Sequence, residues 1–459
     1  MDDFIEYTTK YARRYPDRVK RVKQSHLTRA KKGVDHWNLW AASFEAFIKK
    51  NSSESFSICF HGLSIKDVNF RRFDFPCRVD FCDAILESAD FGSARFNSIC
   101  DFEGAVFNGI SSFHNTHFGE SANFEKAKFF EPANFEKARF CSDGYFSEVK
   151  FHGSAQFNNA IFDRFADFSE VSFGSLTEFK EVEFKGPAMF IGSTFLGIAR
   201  FSNTEFSKRT EFLSVIFNHE VDLSNSQFYG TTIFDSSEFK SYINFSGVEF
   251  KRSITFDATK FQDKVPDFNF VSFLQPPFIS NIILPENMLI AFKHNQVEVF
   301  RKLKQLSIQS RDHENELRFF GYEMRAKAYH SETPTSQKIF IQLYYLFSNF
   351  GSSLIRPMVW LLLIVAYIFI VNLFVIQADS EDCIHSQSKF EDQVILYTLS
   401  EAIPLVRLKS SQRLVMEECL FGSKPFTLMH NLWAIAHIIP TSLLLFLFGL
   451  AVRNSFKIK

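Results

Sequence analysis

From Phe91 to Phe261 the large apolar positions recur at alternating spacings of five and six residues, and the positions between them are mostly Asp, Glu, Lys, Asn or Ser. This 11-residue period defines 32 positions, of which 31 are Phe and the other is Leu223. The series begins Phe91, Phe96, Phe102, Phe107, Phe113, Phe118, Phe124, Phe129, Phe135, Phe140. A small or β-branched residue often stands two places before each Phe, as at Ala122, Ala133, Thr204, Val215 and Val248. Such a period matches neither the 3.6 of a helix nor the 2.0 of a straight strand. The chain must turn a corner once per unit, with one large and one small inward side chain on each short extended segment and polar residues at the bend. Four such sides closing a square use 22 residues. At about 4.8 Å per layer, residues 91 to 261 make close to eight coils and a rod about 38 Å long. No coil buries its rings alone, so neighbouring coils stabilise one another. These Phe are therefore expected to be packing residues rather than a platform for stacking a ligand.

The rhythm starts irregularly and stops clearly. Phe70, Phe75, Phe81 and Leu86 follow it before a one-residue slip into Phe91, which predicts a less regular first coil. Residues 262 to 290 lose the period and contain Pro266, Pro276, Pro277 and Pro285, marks of a terminating coil and a linker. Helical spacing follows in Ala291, Val297, Phe300, Leu303 and Leu306, and again between Glu316 and Tyr329. There Asp312, His313, Glu314, Glu316 and Glu323 lie close in sequence without any metal-ligand spacing. Ion pairing of Glu316 and Glu323 with Arg301, Lys302, Lys304 and Arg325 between adjacent helices is the expectation.

The Phe-centred pattern resembles the pentapeptide-repeat family, over roughly residues 60 to 273. The resemblance implies a mainly β solenoid, a right-handed quadrilateral β-helix of about eight or more 22-residue coils, here followed by helices and two transmembrane α-helices. Upstream, Lys32-Gly33-Val34-Asp35-His36-Trp37-Asn38-Leu39-Trp40 resembles the Gly-Val-x-x-Trp-Asn segment that often precedes such repeats. It would form a short amphipathic helix that caps the open end of the coil with Trp37 and Trp40.

Two further apolar runs bear on location. The run from Met358 to Ile376 carries no formal charge, and the run from Leu432 to Val452 is interrupted only by His437 and Pro440. At 1.5 Å per residue the shorter reaches about 28 Å, enough to cross a bilayer. Arg356 precedes the first run, Arg453, Lys457 and Lys459 follow the second, and Asp379, Glu381 and Asp382 follow the first. That asymmetry predicts a multi-pass protein with both termini cytoplasmic and the loop between the two runs outside. Within the loop, residues 394 to 406 are apolar enough for a short re-entrant or interfacial helix and too short to cross. This C-terminal part resembles the tail of a bacterial subgroup of pentapeptide-repeat membrane proteins whose last segment looks like a two-helix potassium-channel domain. The resemblance implies the bacterial inner (cell) membrane and a homo-oligomer. It departs at the filter: Glu401-Ala402-Ile403-Pro404-Leu405-Val406-Arg407-Leu408 has no Gly-rich stretch to hold a ring of carbonyls, so potassium selectivity is not expected. Glu401 and His437 are the polar membrane-domain groups to examine first, since such groups are costly unless they meet water or a partner.

The resulting division is a helical cap at 1–58, the β-helix at 59–273, a linker at 274–290, a helical linker domain at 291–353 and a membrane domain at 354–459, with spans at 358–376 and 432–452. Composition agrees with this plan: 61 of 459 residues are Phe. A formal charge of −1 gives no general case for nucleic-acid binding. Basic residues among the first forty, with no apolar run behind them, predict no secretory signal. Seven scattered Cys lack the paired short spacings of a zinc or iron–sulfur site, so they are expected to be reduced, small packing residues, with no metal and no cofactor. No nucleophile–base pair or phosphate loop stands out, so no enzyme is expected. The leading expectation is a membrane-anchored solenoid that recognises or scaffolds an unknown cytoplasmic protein and is coupled to an oligomeric, channel-like membrane domain. A tethered scaffold without a pore is the first alternative. A DNA-mimic inhibitor of a type II topoisomerase is the second, and it is disfavoured because residues 91 to 261 hold 22 acidic and 16 basic residues, a net of only −6.

Overall fold

The computed structural model describes residues 16–50, 56–66, 68–288, 292, 296–375, 387–403, 413 and 428–457. It divides into two compact units, Met1–Ala291 and Phe292–Lys459. The first is a parallel β-solenoid with four sheets. Three of the sheets have ten strands, running from Ser57–Cys59 to Ile254–Thr255, from Asp74–Phe75 to Ser272–Phe273 and from Ser64–Ile65 to Lys260–Phe261. The fourth has eight, from Ala89–Asp90 to Ile243–Asn244. The Phe period sets the register: Phe107 pairs with Phe129, Phe129 with Phe151 and Phe151 with Phe173, each partner standing at the same place in the next coil.

The Phe rings stack in columns along the coil axis. Phe102 and Phe124 lie 4.8 Å apart and nearly parallel, as do Phe91 and Phe113 at 5.0 Å, while Phe102 meets its in-plane neighbour Phe113 edge to face at 86°. Both arrangements suit the ring quadrupole. The hydroxyl that sometimes replaces the small inward residue keeps a bond inside the core: Thr116 Oγ1 donates to Phe91 O at 2.8 Å and Thr259 Oγ1 to Phe234 O at 2.8 Å. These two buried donors are thus satisfied, whereas the buried Thr232 Oγ1 has no partner among the described residues.

Alternate corners share one recipe. After every second Phe the chain makes a β-turn of the type with positive φ at its third residue: Ala127 N–H donates to Phe124 O at 3.0 Å, and Lys126 has φ 58°. Asp or Asn just before these Phe closes the approach, as where Asn123 Oδ1 accepts the Glu125 N–H at 2.9 Å and Asn134 Oδ1 that of Glu136 at 2.8 Å.

Coil length changes along the solenoid. The first pairings, Cys59 with Asp80 and Asp74 with Arg95, enclose one residue fewer than the Phe107–Phe129 register, because a short side stands where a longer one occurs later. At the other end the pairings enclose one residue more, in Phe250 with Phe273 and in the single bridges Thr255–Phe278 and Lys260–Ile283. The stretch expected to be a linker from residue 274 therefore still pairs with the last coil as far as Ile283.

Two helices precede the first coil, α1 (Pro16–Ala30) and α2 (Val34–Lys50), joined through Gly33 at φ 92°. The second unit contains, among the described residues, α3 (Val297–Gln309), α4 (His313–Tyr329), α5 (Thr335–Ser348), α6 (Ile355–Val375), α7 (Gln387–Ala402) and α8 (Leu428–Lys457). Of these α5 was not singled out from the sequence pattern. Helix α7 begins before the expected 394, at Gln387, and residues 404–406 of the expected helix lie outside the described residues. Both α6 and α8 are long and apolar enough to cross a membrane.

Candidate functional site

The ten Phe from Phe91 to Phe140 named above are all fully buried within the solenoid, leaving no ring face open to a ligand. Trp37 is buried too, stacked on Phe73 at 5.2 Å and edge-on to Phe75 at 5.4 Å, and its indole N–H donates to Asp74 O at 2.8 Å. Trp40 is half-buried, between Phe44 at 5.0 Å and the Arg29 guanidinium at 4.4 Å. Two residues that the sequence reading did not single out do the polar part of the capping. Asn38 donates to Arg72 O at 3.0 Å and accepts the Asp74 N–H at 2.9 Å, taking the place of the strand that a preceding coil would supply. His26 Nδ1 accepts the Cys59 N–H at 3.2 Å. Asn38 stood in the segment whose resemblance pointed to a cap; His26 had no such signal.

On the outer face some acidic residues are paired with cations, several of them on the neighbouring coil. Asp163 accepts from Arg139 Nε at 3.0 Å and Lys185 Nζ at 3.1 Å. Burial pushes its carboxyl up, but these two hydrogen bonds outweigh it and hold the pKa below the ordinary value. Glu178 is treated alike: burial raises it, while Lys180 at 2.7 Å, Asn158 and Arg200 at 3.0 Å bring it below its usual range. At these two sites the paired carboxylates offer little unscreened negative charge to a partner.

In the two long apolar helices of the second unit most side chains face outward, while a few polar groups are buried. Only 17% of the stretch Ile355–Asn372 and 28% of His437–Phe456 is buried. Leu362, Ile439 and Phe446 are each about two-thirds exposed. Between α6 and α7, buried Asn372 Nδ2 donates to buried Thr398 Oγ1 at 3.1 Å. His437 is buried in α8, one turn before Thr441, whose hydroxyl donates to His437 O at 2.9 Å. Near the end of α8, Asn454 Nδ2 donates to Gly351 O at 3.0 Å and ties the helix to the loop before α6. Glu401, the other polar group singled out from the sequence, has its side chain outside the described residues, as do the side chains at 404–408. Asn372 was the lone amide in its uncharged apolar run, and that signal could have found it.

Below this seam the helices form a charged and aromatic collar. Buried Glu323 joins α4 to α3 by accepting from Arg301 Nε at 3.0 Å and Lys304 Nζ at 2.5 Å, while Glu316 pairs within α4 to His313 at 3.0 Å. Arg325 lies over the rings of Phe292 and Tyr345 instead of pairing with either Glu. The Arg356 guanidinium covers Tyr345 and donates to its carbonyl at 2.7 Å. Two cavities, of about 330 and 470 Å³, border Phe350 and Asn454.

Residues 102–147 and 168–216, both within the solenoid, match the family model described as pentapeptide repeats (9 copies). These repeats are a non-catalytic structural fold. No curated protein and no solved structure matches the chain.

Proposed function

We propose that the chain is a non-enzymatic, membrane-anchored pentapeptide-repeat protein in which α6 and α8 cross a bilayer and the solenoid presents a rigid polar surface to a macromolecular partner on the side of both termini. The observation that carries this reading is the inverted polarity of the second unit, where apolar side chains of two membrane-length helices face outward and Asn372, Thr398 and Thr441 face inward. In water such a surface would aggregate, whereas hydrocarbon suits it and makes internal hydrogen bonds the natural place for polar groups. The membrane helices assemble with copies of themselves, with α7 held against both spans like a half-length helix between two full ones. His437 and Glu401 are the groups to probe for a water-filled path. Single-channel recording of the full chain in planar bilayers tests conduction; an electrically silent oligomer defeats the channel part and leaves the anchor. Sodium carbonate extraction tests the anchor itself, and release of the chain into the soluble fraction overturns it.

A tethered scaffold without a pore is the second reading, supported by the absence of a Gly-rich filter sequence between Glu401 and Leu408. It predicts that deleting residues 379–431 preserves partner recognition while both anchors remain. Mimicry of DNA toward a topoisomerase is weakened by the pairing of Asp163 and Glu178 with cations, and a supercoiling assay on the full chain decides it.

A further inference from the structure

We propose that the N-terminal end of the solenoid holds a divalent transition-metal site of the zinc type, built from Cys59, His61, Asp80 and Cys82. In the sequence the four residues form two short pairs, Cys59-x-His61 and Asp80-x-Cys82, separated by the length of one coil. The strand register closes that gap: Cys59 pairs with Asp80, and the Gly62 N–H donates to Cys82 O at 2.8 Å, so both pairs stack one coil above the other on the same outer face. The ligand atoms of His61, Asp80 and Cys82 all fall within 4.8 Å of one another. Asp80 Oδ1 is 3.6 Å from His61 Nδ1, and Asp80 Oδ2 is 3.7 Å from Cys59 Sγ.

The separations of His61 and Cys59 from Asp80 are those of neighbouring ligands in a metal polyhedron, while the set as a whole is wider and must draw together around an ion. Bonds of about 2.0–2.3 Å to oxygen, nitrogen and sulfur, arranged tetrahedrally, place neighbouring ligand atoms about 3.3–3.8 Å apart. Two thiolates, an imidazole and a carboxylate are a borderline-soft set that suits Zn²⁺ and excludes Mg²⁺ and Ca²⁺, which take oxygen. Part of the shell is already fixed: the Cys82 N–H donates to Asp80 Oδ1 at 3.0 Å, the Cys59 N–H is held by His26, and Lys23 Nζ donates to His61 O at 2.7 Å. The half-exposed His61 ring needs only to turn inward. On binding, the two thiols lose their protons to solvent and the metal acquires two thiolate bonds, with no change of oxidation state. The consequence is structural: the ion staples the first coil to the second at the end of the stack, where coils have a neighbour on one side only.

The test uses the full chain in detergent, under reducing conditions and after chelator treatment, titrated with Co²⁺ as the spectroscopic probe. The expected result is one equivalent bound, with thiolate-to-metal charge transfer and tetrahedral d–d bands, and displacement by Zn²⁺. His61→Ala is expected to weaken binding by more than about tenfold, the lower bound for losing even an outer partner of a ligand. The double variant Cys59→Ser with Cys82→Ser is expected to lose the charge-transfer band altogether, and Cys141→Ser, beside His117 at 3.9 Å elsewhere in the solenoid, to retain it. Wild-type chain that shows no stoichiometric charge transfer overturns the proposal, whatever the variants do. So does a double variant that keeps the band.

Discussion

The two units of this chain solve the same problem with opposite polarity. In the solenoid every ring of the series from Phe91 to Phe140 is enclosed, and the charges lie outside in ladders such as Arg139–Asp163–Lys185. In the helical unit Leu362, Leu363 and Phe446 face outward, and Asn372, Thr398 and Thr441 are enclosed. Each arrangement is stable only in its own solvent. The first minimises apolar area against water; the second would do the same only if its surroundings were hydrocarbon. They also differ in how contacts are addressed. A solenoid residue meets the residue one coil on, so position in the period fixes the neighbour. A contact such as Asn454 with Gly351 has no address that spacing could supply.

The sharpest way to break the comparison is to place an Asp at an apolar position in each unit. Phe135→Asp removes a fully buried ring stacked on Phe113 at 4.7 Å and Phe157 at 4.9 Å. The lost burial and cavity cost about 3–5 kcal/mol, and a carboxylate without a partner in that column adds several more. The sum rivals the whole stability of a domain, about 5–15 kcal/mol. The variant is expected to lose its cooperative β-structure unfolding transition in circular dichroism; a midpoint unchanged from wild type would contradict an all-Phe interior. Leu363→Asp, on the exposed face of α6, is expected to leave the detergent-solubilised fold intact. Its effect should appear in membrane insertion, at about 3 kcal/mol for an acidic residue near the centre of a span. A glycosylation-reporter insertion assay measures it, and insertion equal to wild type would count against α6 as a span.

What could be read beforehand follows the same division. Phe102 and Phe124 announced their contact by a fixed spacing, so the coil, its length and its interior were legible. The outlying coils were less so: the longer offset that pairs Phe250 with Phe273 and Lys260 with Ile283 follows no period, because one extra residue at a corner erases it without breaking the ladder. The proximity of Cys59, His61, Asp80 and Cys82 was not visible for the converse reason. Ligand spacing is ordinarily sought within one loop, and here a full coil returns the chain to the same face. Helix α5 was not singled out although Ile339, Leu343 and Leu346 recur at helical spacing; these side chains are exposed rather than part of a core.

Acid should act on the cap of the solenoid before its stack. His26 is fully enclosed, its Nδ1 accepts the Cys59 N–H, and burial foremost, with Arg29 nearby, lowers its pKa from 6.5 to about 3. The unfolded chain therefore takes up a proton near pH 6.5 that the folded cap refuses. Stability is complete above that pH and falls as the pH drops from 6.5 toward 3, by about 1.4 kcal/mol per unit. Going from pH 6.5 to 5 should cost about 2 kcal/mol, seen as a lower denaturant midpoint for cap unfolding by Trp fluorescence. His26→Gln, which keeps an acceptor and cannot ionise, should flatten that slope. A slope unchanged in the variant would place the titration elsewhere.

The smallest effect tests the corners rather than the core, and it changes sign over two residues. Lys126 sits at φ 58°, held there by its N–H to Ser147 O at 2.9 Å and by the turn bond from Ala127 to Phe124. An L-residue in that region costs about 1–2 kcal/mol, and glycine escapes the cost while losing about 0.5–1 kcal/mol more backbone entropy. Gly104 and Gly192 already occupy equivalent corners at φ 65° and 66°. The ion pair to Glu148 at 3.8 Å joins two exposed side chains, and its loss counts for little. Lys126→Gly should therefore stabilise the solenoid by about 0.5 kcal/mol. Lys128, in the strand Lys128–Phe129, has no positive φ to relieve, so Lys128→Gly should destabilise it by about 0.5–1 kcal/mol. Paired denaturation curves of the two variants read the difference directly. Equal shifts of the same sign would mean that the stacked coils, rather than the turn conformation, set the stability of each corner.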